Sequence, residues 1–464
     1  MKKIENYAII VIQRFSFVNI SRGSRKRGWE TMQPDFNSST YKRSRAAYIA
    51  QSTFDYFVAL LIGDAFLAKL LTSLGISDSL AGIIASFVSL VFVFQIFSIF
   101  LVKGKLGSKA LSLIFETVSQ ILFASMYLIP FLKVSKDVKH MLVVFAILLA
   151  YVAKYLVYSV LFKWGNSFVD PSRRGRFSAK REIVSLISGI VFTLVISRVF
   201  DSFESSGNLK GGFLFISIVI LLSDLSGFIC MLVMKNRKED EQDDKKPLAD
   251  VMKNTIGNQS FRRLLVLSIL WSCSIYFTAG FLGVYKTKDL VMTVFLVQIV
   301  NMVSNGFRVV FSIPFGKYSD KTSFAKGYEL GMILVAIAFA FCMFTTPKTL
   351  YLIIAYSVIY NISVGATNQN SFNITYSCVS GEYIVQAMAI KNCVGGVFGF
   401  LAALVGSRIL SAVQANGNLV LGIPMHGQQL LAFISLIGTF IAILYMHFFI
   451  IKPDEERKKV HDSI

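Results

Sequence analysis

Nothing of the form G-x-x-x-x-G-K-[S/T] occurs in the 464 residues, so the phosphate-cradling loop that ATP-driven machinery needs is missing. Charge is scarce as well, with only 16% Asp, Glu, Lys and Arg against 54% hydrophobic residues, which excludes an ordinary soluble or disordered chain. The five cysteines, Cys230, Cys273, Cys342, Cys378 and Cys393, all lie in or beside apolar runs and form no C-x-x-C pair. A disulfide framework or zinc site is not expected. The four histidines, His140, His426, His447 and His461, sit at the ends of apolar runs or in tails, which argues against a histidine proton relay or metal site. No cofactor is implied, and no nucleophile with a base at matched depth supports a membrane enzyme.

What remains is apolar length. A bilayer core about 30 Å thick takes about 20 residues per helix, so the chain has room for about twelve spans. Runs of suitable length fall near 46–73, 80–101, 110–132, 140–162, 183–201, 212–234, 264–285, 290–313, 326–345, 349–373, 385–411 and 427–450. The expectation is an all-α polytopic membrane protein with twelve transmembrane helices. The net charge of +20 would suggest nucleic acid in a soluble protein; in a membrane protein it marks cytoplasmic loops, and no nucleic-acid partner is expected. With both termini inside, the inner segments hold 34 Lys and Arg and the outer loops 7. That asymmetry predicts cytoplasmic N- and C-termini in the plasma membrane.

Three landmarks recur in order. Asn166-Ser167-Phe168 returns as Asn370-Ser371-Phe372, Ser197-Arg198 as Ser407-Arg408, and Gly104-Lys-Leu-Gly-Ser108-Lys109 as Gly316-Lys-Tyr-Ser-Asp320-Lys321. Such offsets carry one six-span half onto the other, the mark of two parallel repeats. The division expected is a basic tail over 1–41, a six-helix bundle over 42–234, a polar linker over 235–263, a second bundle over 264–451 and a tail over 452–464. The linker carries Leu248, Val251, Met252 and Ile256 at helical spacing, which predicts a short surface helix; a solvated tether is the alternative. Residues 1–31 read either as an extra tail or as the product of a start placed too early, with Met32 the first residue.

Gly316-x-x-x-Asp320-Lys321, and Trp164-x-x-x-Phe168-Val-Asp-Pro171-x-x-Arg174-Gly-Arg176-Phe177, carry a resemblance to the major facilitator superfamily, in its bacterial type, over roughly 42–451. The first half departs from the loop pattern, with Ser108 where an acidic residue is expected. The resemblance implies two six-helix pseudo-symmetric halves, spans one and four facing a central cavity, and alternating access. Gly316, Asp320, Lys321, Arg174 and Arg176 are the loop residues that would lock one conformation; simple orientation anchoring is the alternative for the basic loop residues other than Arg174 and Arg176.

Charges inside a bilayer are costly and need partners or a wet cavity. Asp55 in span one and Lys154 in span four both lie roughly 13 Å from the inner end at 1.5 Å per residue, so a pair is expected. Gln51 stands one turn before Asp55, and Tyr151, Tyr155 and Tyr158 surround Lys154. This group reads as a substrate or proton-coupling site, or as a structural salt bridge. Asp64, half a helical revolution from Asp55, is expected to serve a different neighbour or the outer rim, while Glu116 and Asp224 are left open between structural contact and proton path. Gln298, Asn301, Asn305 and Arg308 share one face of span eight, which predicts a cavity wall over interhelical glue. Trp271, Tyr276, Tyr360 and Asn361 add rings and an amide suited to a polar organic ring. Lys391 near the inner end of span eleven reads as part of an intracellular gate.

The function expected is a secondary active transporter for a small organic solute, coupled to protons and working as a monomer in the lipid bilayer. The alternatives are a multidrug or lipid efflux pump of the same fold, and a non-transporting receptor or assembly protein.

Overall fold

A computed structural model describes residues 38–95, 108–170, 174–235, 255–379 and 384–453. The basic tail through residue 37, the linker helix after Pro247 and the last residues of the chain lie outside the described residues. The protein is an all-α polytopic membrane protein in which ten helices, among the described residues, are long and apolar enough to cross a bilayer.

The described chain starts with α1 (Ser39–Leu61), whose cap Ser38 accepts from the Tyr41 amide, and α2 (Asp64–Ser73). The run expected as one span over 46–73 is thus broken at Ile62 and Gly63, and Asp64 enters α2 at φ +44°, a conformation a residue with a Cβ rarely takes. The next run is also fragmented: α3 (Asp78–Ala85), one turn at Phe87–Leu90 and a 3-10 turn at Val91–Val93. Continuous helices follow, α4 (Ser108–Met126), α5 (Lys136–Asn166), α6 (Arg174–Ser205) and α7 (Leu209–Val233). Beyond the linker come α8 (Gln259–Tyr276), α9 (Val294–Lys321), α10 (Phe324–Met343), α11 (Leu350–Cys378), α12 (Ile384–Ala415) and α13 (Gly427–Met446). After α8 the chain passes through a 3-10 turn at Ala279–Phe281 and a π turn at Tyr285–Asp289. A two-residue hairpin, Leu419–Val420 against Ile423–Pro424, joins α12 to α13.

Why these helices stand in lipid is plain on α6, where Ile183, Ile187, Val191 and Val195 recur every fourth residue and are all more than half exposed. With every backbone group bonded within the helix, such a face costs nothing in hydrocarbon. Polar caps end the helices at both faces: Ser135, Asn208, Asn258, Thr293 and Ser323 each accept from a backbone amide of the first turn.

Packing repeats between the two sides of the linker. α1 lies against α6 and α7, and α4 against α5 and α7; likewise α8 lies against α12 and α13, and α10 against α11 and α13. The two groups meet where α3 and the Phe87–Leu90 turn pack on α12, where α6 packs on α9, and where α2 meets Leu282–Val284. α1 and α8 both begin at the face from which the chain enters and leaves the bundle, called here the terminal face, and both break up near the opposite, far face.

Candidate functional site

The Asp55 carboxylate on α1 and the Lys154 ammonium on α5 form an ion pair. Glu116 on α4 joins them, with Oε1 3.9 Å from Lys154 Nζ and only 5% of its side chain exposed. Gln120, one turn further along α4, donates from Nε2 to Asp55 Oδ1 at 2.9 Å and to Glu116 Oε1 at 3.2 Å. Two carboxylates therefore share one ammonium in a largely buried site, with the Asp55 side chain 25% exposed. Their charges balance only when one proton is also held among them, because among the described residues neither acid has a second cation within salt-bridge distance.

Sequence reasoning found Asp55 and Lys154 but left Glu116 undecided. A readable signal existed, since Glu116 and Gln120 stand at i and i+4 and present two polar groups on one face of an otherwise apolar helix. Gln51 is buried on α1, Tyr151 packs edge-on against Phe123, Tyr155 packs against Phe92, and Tyr158 is about half exposed.

Two cavities open within the bundle, the first between the helix groups and the second among helices of the second group, with Phe92 the one residue of the first group on its described lining. The one toward the far face, about 380 Å³, is lined by Asp64, Tyr151, Tyr276, Lys286, Asn301, Tyr360 and Asn361, among others. Tyr151 is one turn from Lys154, so the charge cluster stands directly behind this wall. The second cavity, about 350 Å³ and nearer the terminal face, is lined by Trp271, Tyr276, Tyr360, Asn368, Lys391 and Asn392, among others. Tyr276 and Tyr360 line both cavities and stand between them.

The polar row of span eight divides. Asn301 lines the first cavity and donates to Asp64 Oδ2 at 2.9 Å and to Gln298 Oε1 at 3.4 Å. Asn305 and Arg308, half-buried, line neither cavity; the Arg308 stem lies beside Gly365 of α11. Lys391 does not bridge the two helix groups. It donates instead to Ser371 Oγ at 2.6 Å and Thr375 Oγ1 at 3.2 Å, both on the neighbouring α11. Asp320 and Lys321 are exposed at the end of α9 beyond the half-buried Gly316, and the side chains of Arg174 and Arg176 lie outside the described residues.

Charge pairs join the two helix groups at the far face; sequence reasoning gave Asp64 a different neighbour or the outer rim but named none of its partners there, and it missed Asp78. Lys286 Nζ lies 3.3 Å from Asp64 Oδ2, and Lys288 Nζ lies 2.7 Å from Asp78 Oδ1. Gln414 also donates to Asp78 at 2.6 Å, so this buried carboxylate receives donors from two elements of the other group. Asp78→Asn keeps the shape but removes the charge these donors share, a loss of about 1.5–3 kcal/mol or roughly tenfold and more in population. With Ala68→Cys, which lines the first cavity, as reporter, labelling by an impermeant maleimide from this face is expected to rise about tenfold. An unchanged labelling rate would remove Asp78 from the closure.

With this geometry in view, the sequence matches the family described as the Major Facilitator Superfamily over residues 47–403. No curated protein matches it. Among solved structures, a mutant of the nucleoside transporter NupG is similar at TM-score 0.70 and 13% identity, over 88% of this chain and 100% of that one. The POT family transporter PepTSo is similar at TM-score 0.67 and 10% identity, over 87% and 98%. A D-xylose-proton symporter is similar at TM-score 0.62 and 12% identity, over 89% and 98%. At such identities the likeness is one of fold.

Proposed function

The chain belongs to the major facilitator superfamily and is a secondary transporter moving a small solute by alternating access, and on that premise we propose that it is proton-coupled, with Asp55, Glu116 and Lys154 as the coupling group. The observation that carries this reading is the two-acid, one-ammonium cluster behind the Tyr151 wall of the first cavity. A proton entering the cluster changes its net charge and weakens the hold of α1 and α4 on α5, which biases the packing of these three helices.

The finer architecture belongs to the same proposal. Ten long helices, with the interrupted runs at 39–73 and 78–95 as two further spans, make twelve in two six-helix halves. Support comes from the repeated packing scheme, from the break near the far end of the first helix in each half, and from Asn166 and Asn370. Each of these asparagines donates from Nδ2 to the carbonyl four residues earlier, at 2.9 Å. The concentration of Lys and Arg in the segments assigned to the terminal face supports cytoplasmic termini, a plasma-membrane location and an inward-facing state with the far side closed. The division into residues 42–234 and 264–451, and a monomeric unit, complete the proposal. Neighbours of the fold carry nucleosides, peptides and xylose, and the aromatic and amide walls here suit a small organic solute of comparable size.

Proteoliposomes loaded with a pH-sensitive dye and given nucleosides, sugars, dipeptides and carboxylic acids test it. At least one solute is expected to carry protons inward with it. Solute exchange without proton movement would reject the coupling, and binding without flux would favour the receptor alternative.

A further inference from the structure

Lys391 is only 5% exposed, yet among the described residues it has no carboxylate within salt-bridge distance. Three other lysines inside the bundle are matched, Lys154 with Asp55 and Glu116, Lys286 with Asp64, and Lys69 with Glu204, while the half-buried Lys109 and Lys139 near helix ends donate to backbone carbonyls. Two of the three ammonium protons of Lys391 go to the hydroxyls of Ser371 and Thr375. For the third, the described residues offer no protein acceptor. Holding α11 against α12 does not account for the charge, since a neutral amide would make the same two hydrogen bonds without the desolvation cost of an ammonium.

The surroundings are as specific as the cation. Lys391 lines the second cavity, whose walls carry Trp271, Tyr276, Tyr328 and Tyr360 together with the amides of Asn368 and Asn392. No aspartate or glutamate is among its lining residues. One uncompensated positive charge, flat aromatic walls and two amides form a site for a single negative charge on a planar, polar body. A volume near 350 Å³ lies at the small end of ligand pockets.

We propose that the solute is a small monovalent organic acid with an aromatic or unsaturated ring, its carboxylate bound to Lys391 Nζ and its ring between Trp271, Tyr276 and Tyr360. A single ammonium with neutral hydroxyl neighbours balances a carboxylate and leaves a dianionic phosphate half unmatched. This rests on the transport reading above, and sharpens it by fixing the charge of the cargo.

The test is thermal unfolding of the purified full-length protein with benzoate, phenylacetate and indole-3-acetate, each beside its neutral amide, and with inorganic phosphate. At saturating ligand at least one acid is expected to raise Tm by about 2–4 °C while its amide does not. Lys391→Gln is expected to abolish the acid-specific shift and Lys391→Arg to retain it. The wild-type contrast between acid and amide stands even if Lys391→Gln fails to fold. Equal shifts from acid and amide, no shift from any acid, an undiminished shift in Lys391→Gln, or phosphate acting as strongly as the acids would each overturn the assignment. A neutral sugar or nucleoside that carries protons while the acids do nothing sinks this assignment alone. An acid that binds but never crosses sinks the transport reading instead.

Discussion

Asp55→Asn is expected to bring gradient-driven accumulation down to simple equilibration while solute-for-solute exchange continues. Each pH unit of gradient is worth about 1.4 kcal/mol per proton, so at one unit the accumulation ratio should fall about tenfold. Geometry also orders the stability effects. In Asp55→Asn the ammonium keeps Glu116, 3.9 Å away, and Gln120 keeps an acceptor in that acid. Lys154→Met instead strands two carboxylates in a water-poor site, and breaking a buried pair in this way costs about 3–5 kcal/mol. Its Tm should fall well below that of Asp55→Asn, and accumulation assays with thermal unfolding on the same preparations check both points. Uphill transport by Asp55→Asn at the wild-type level would remove the acid from coupling.

Gly280→Val is expected to disable the closed far face, and Gly396→Val, deeper in the bundle beside the second cavity, to wedge the same two helix groups apart. A methyl carbon at Gly280 would stand 2.5 Å from the Gly82 carbonyl oxygen, and one at Gly396 would run into the Ser89 carbonyl oxygen. Both obstacles are backbone of the opposite helix group, so no side-chain rotation relieves them. The groups must separate at both points, and Gly283, where the same carbon would meet the Asp64 carbonyl oxygen at 2.8 Å, marks a third point of contact. Net uptake should drop more than about tenfold, because a cycle that cannot close on one side cannot turn over. A maleimide applied from that face should label Ala68→Cys faster in each background. Normal transport in both valine variants would show that the halves approach less closely than this.

The pairing of Asp55 with Lys154 was legible because depth along two helices is simple arithmetic and ionised groups in lipid have few alternatives. The aromatic groups at Trp271, Tyr276 and Tyr360 were visible for a similar reason, being large polar-tipped rings near mid-depth. What stayed hidden depended on contacts between segments far apart in the chain. Asp64 and Lys286 are separated by more than two hundred residues, and nothing local in either marks the other. The row from Gln298 to Arg308 shows the opposite failure: one helix face is longer than the cavity it borders, so of the four only Asn301 reaches it. The breaks in the first two runs escaped because hydrophobicity persists across Ile62 and Gly63 while the helix does not. Composition reports the solvent, not the backbone path.

Two phenol rings separating two chambers of about 380 and 350 Å³ bear on more than fit. A continuous thread of water from one chamber to the other would let protons run down their gradient without cargo, dissipating the energy that transport needs. On the proposed coupling, Tyr276 and Tyr360, which line both chambers, stand where they would interrupt that thread and so insulate the membrane potential as well as shape the route of the solute.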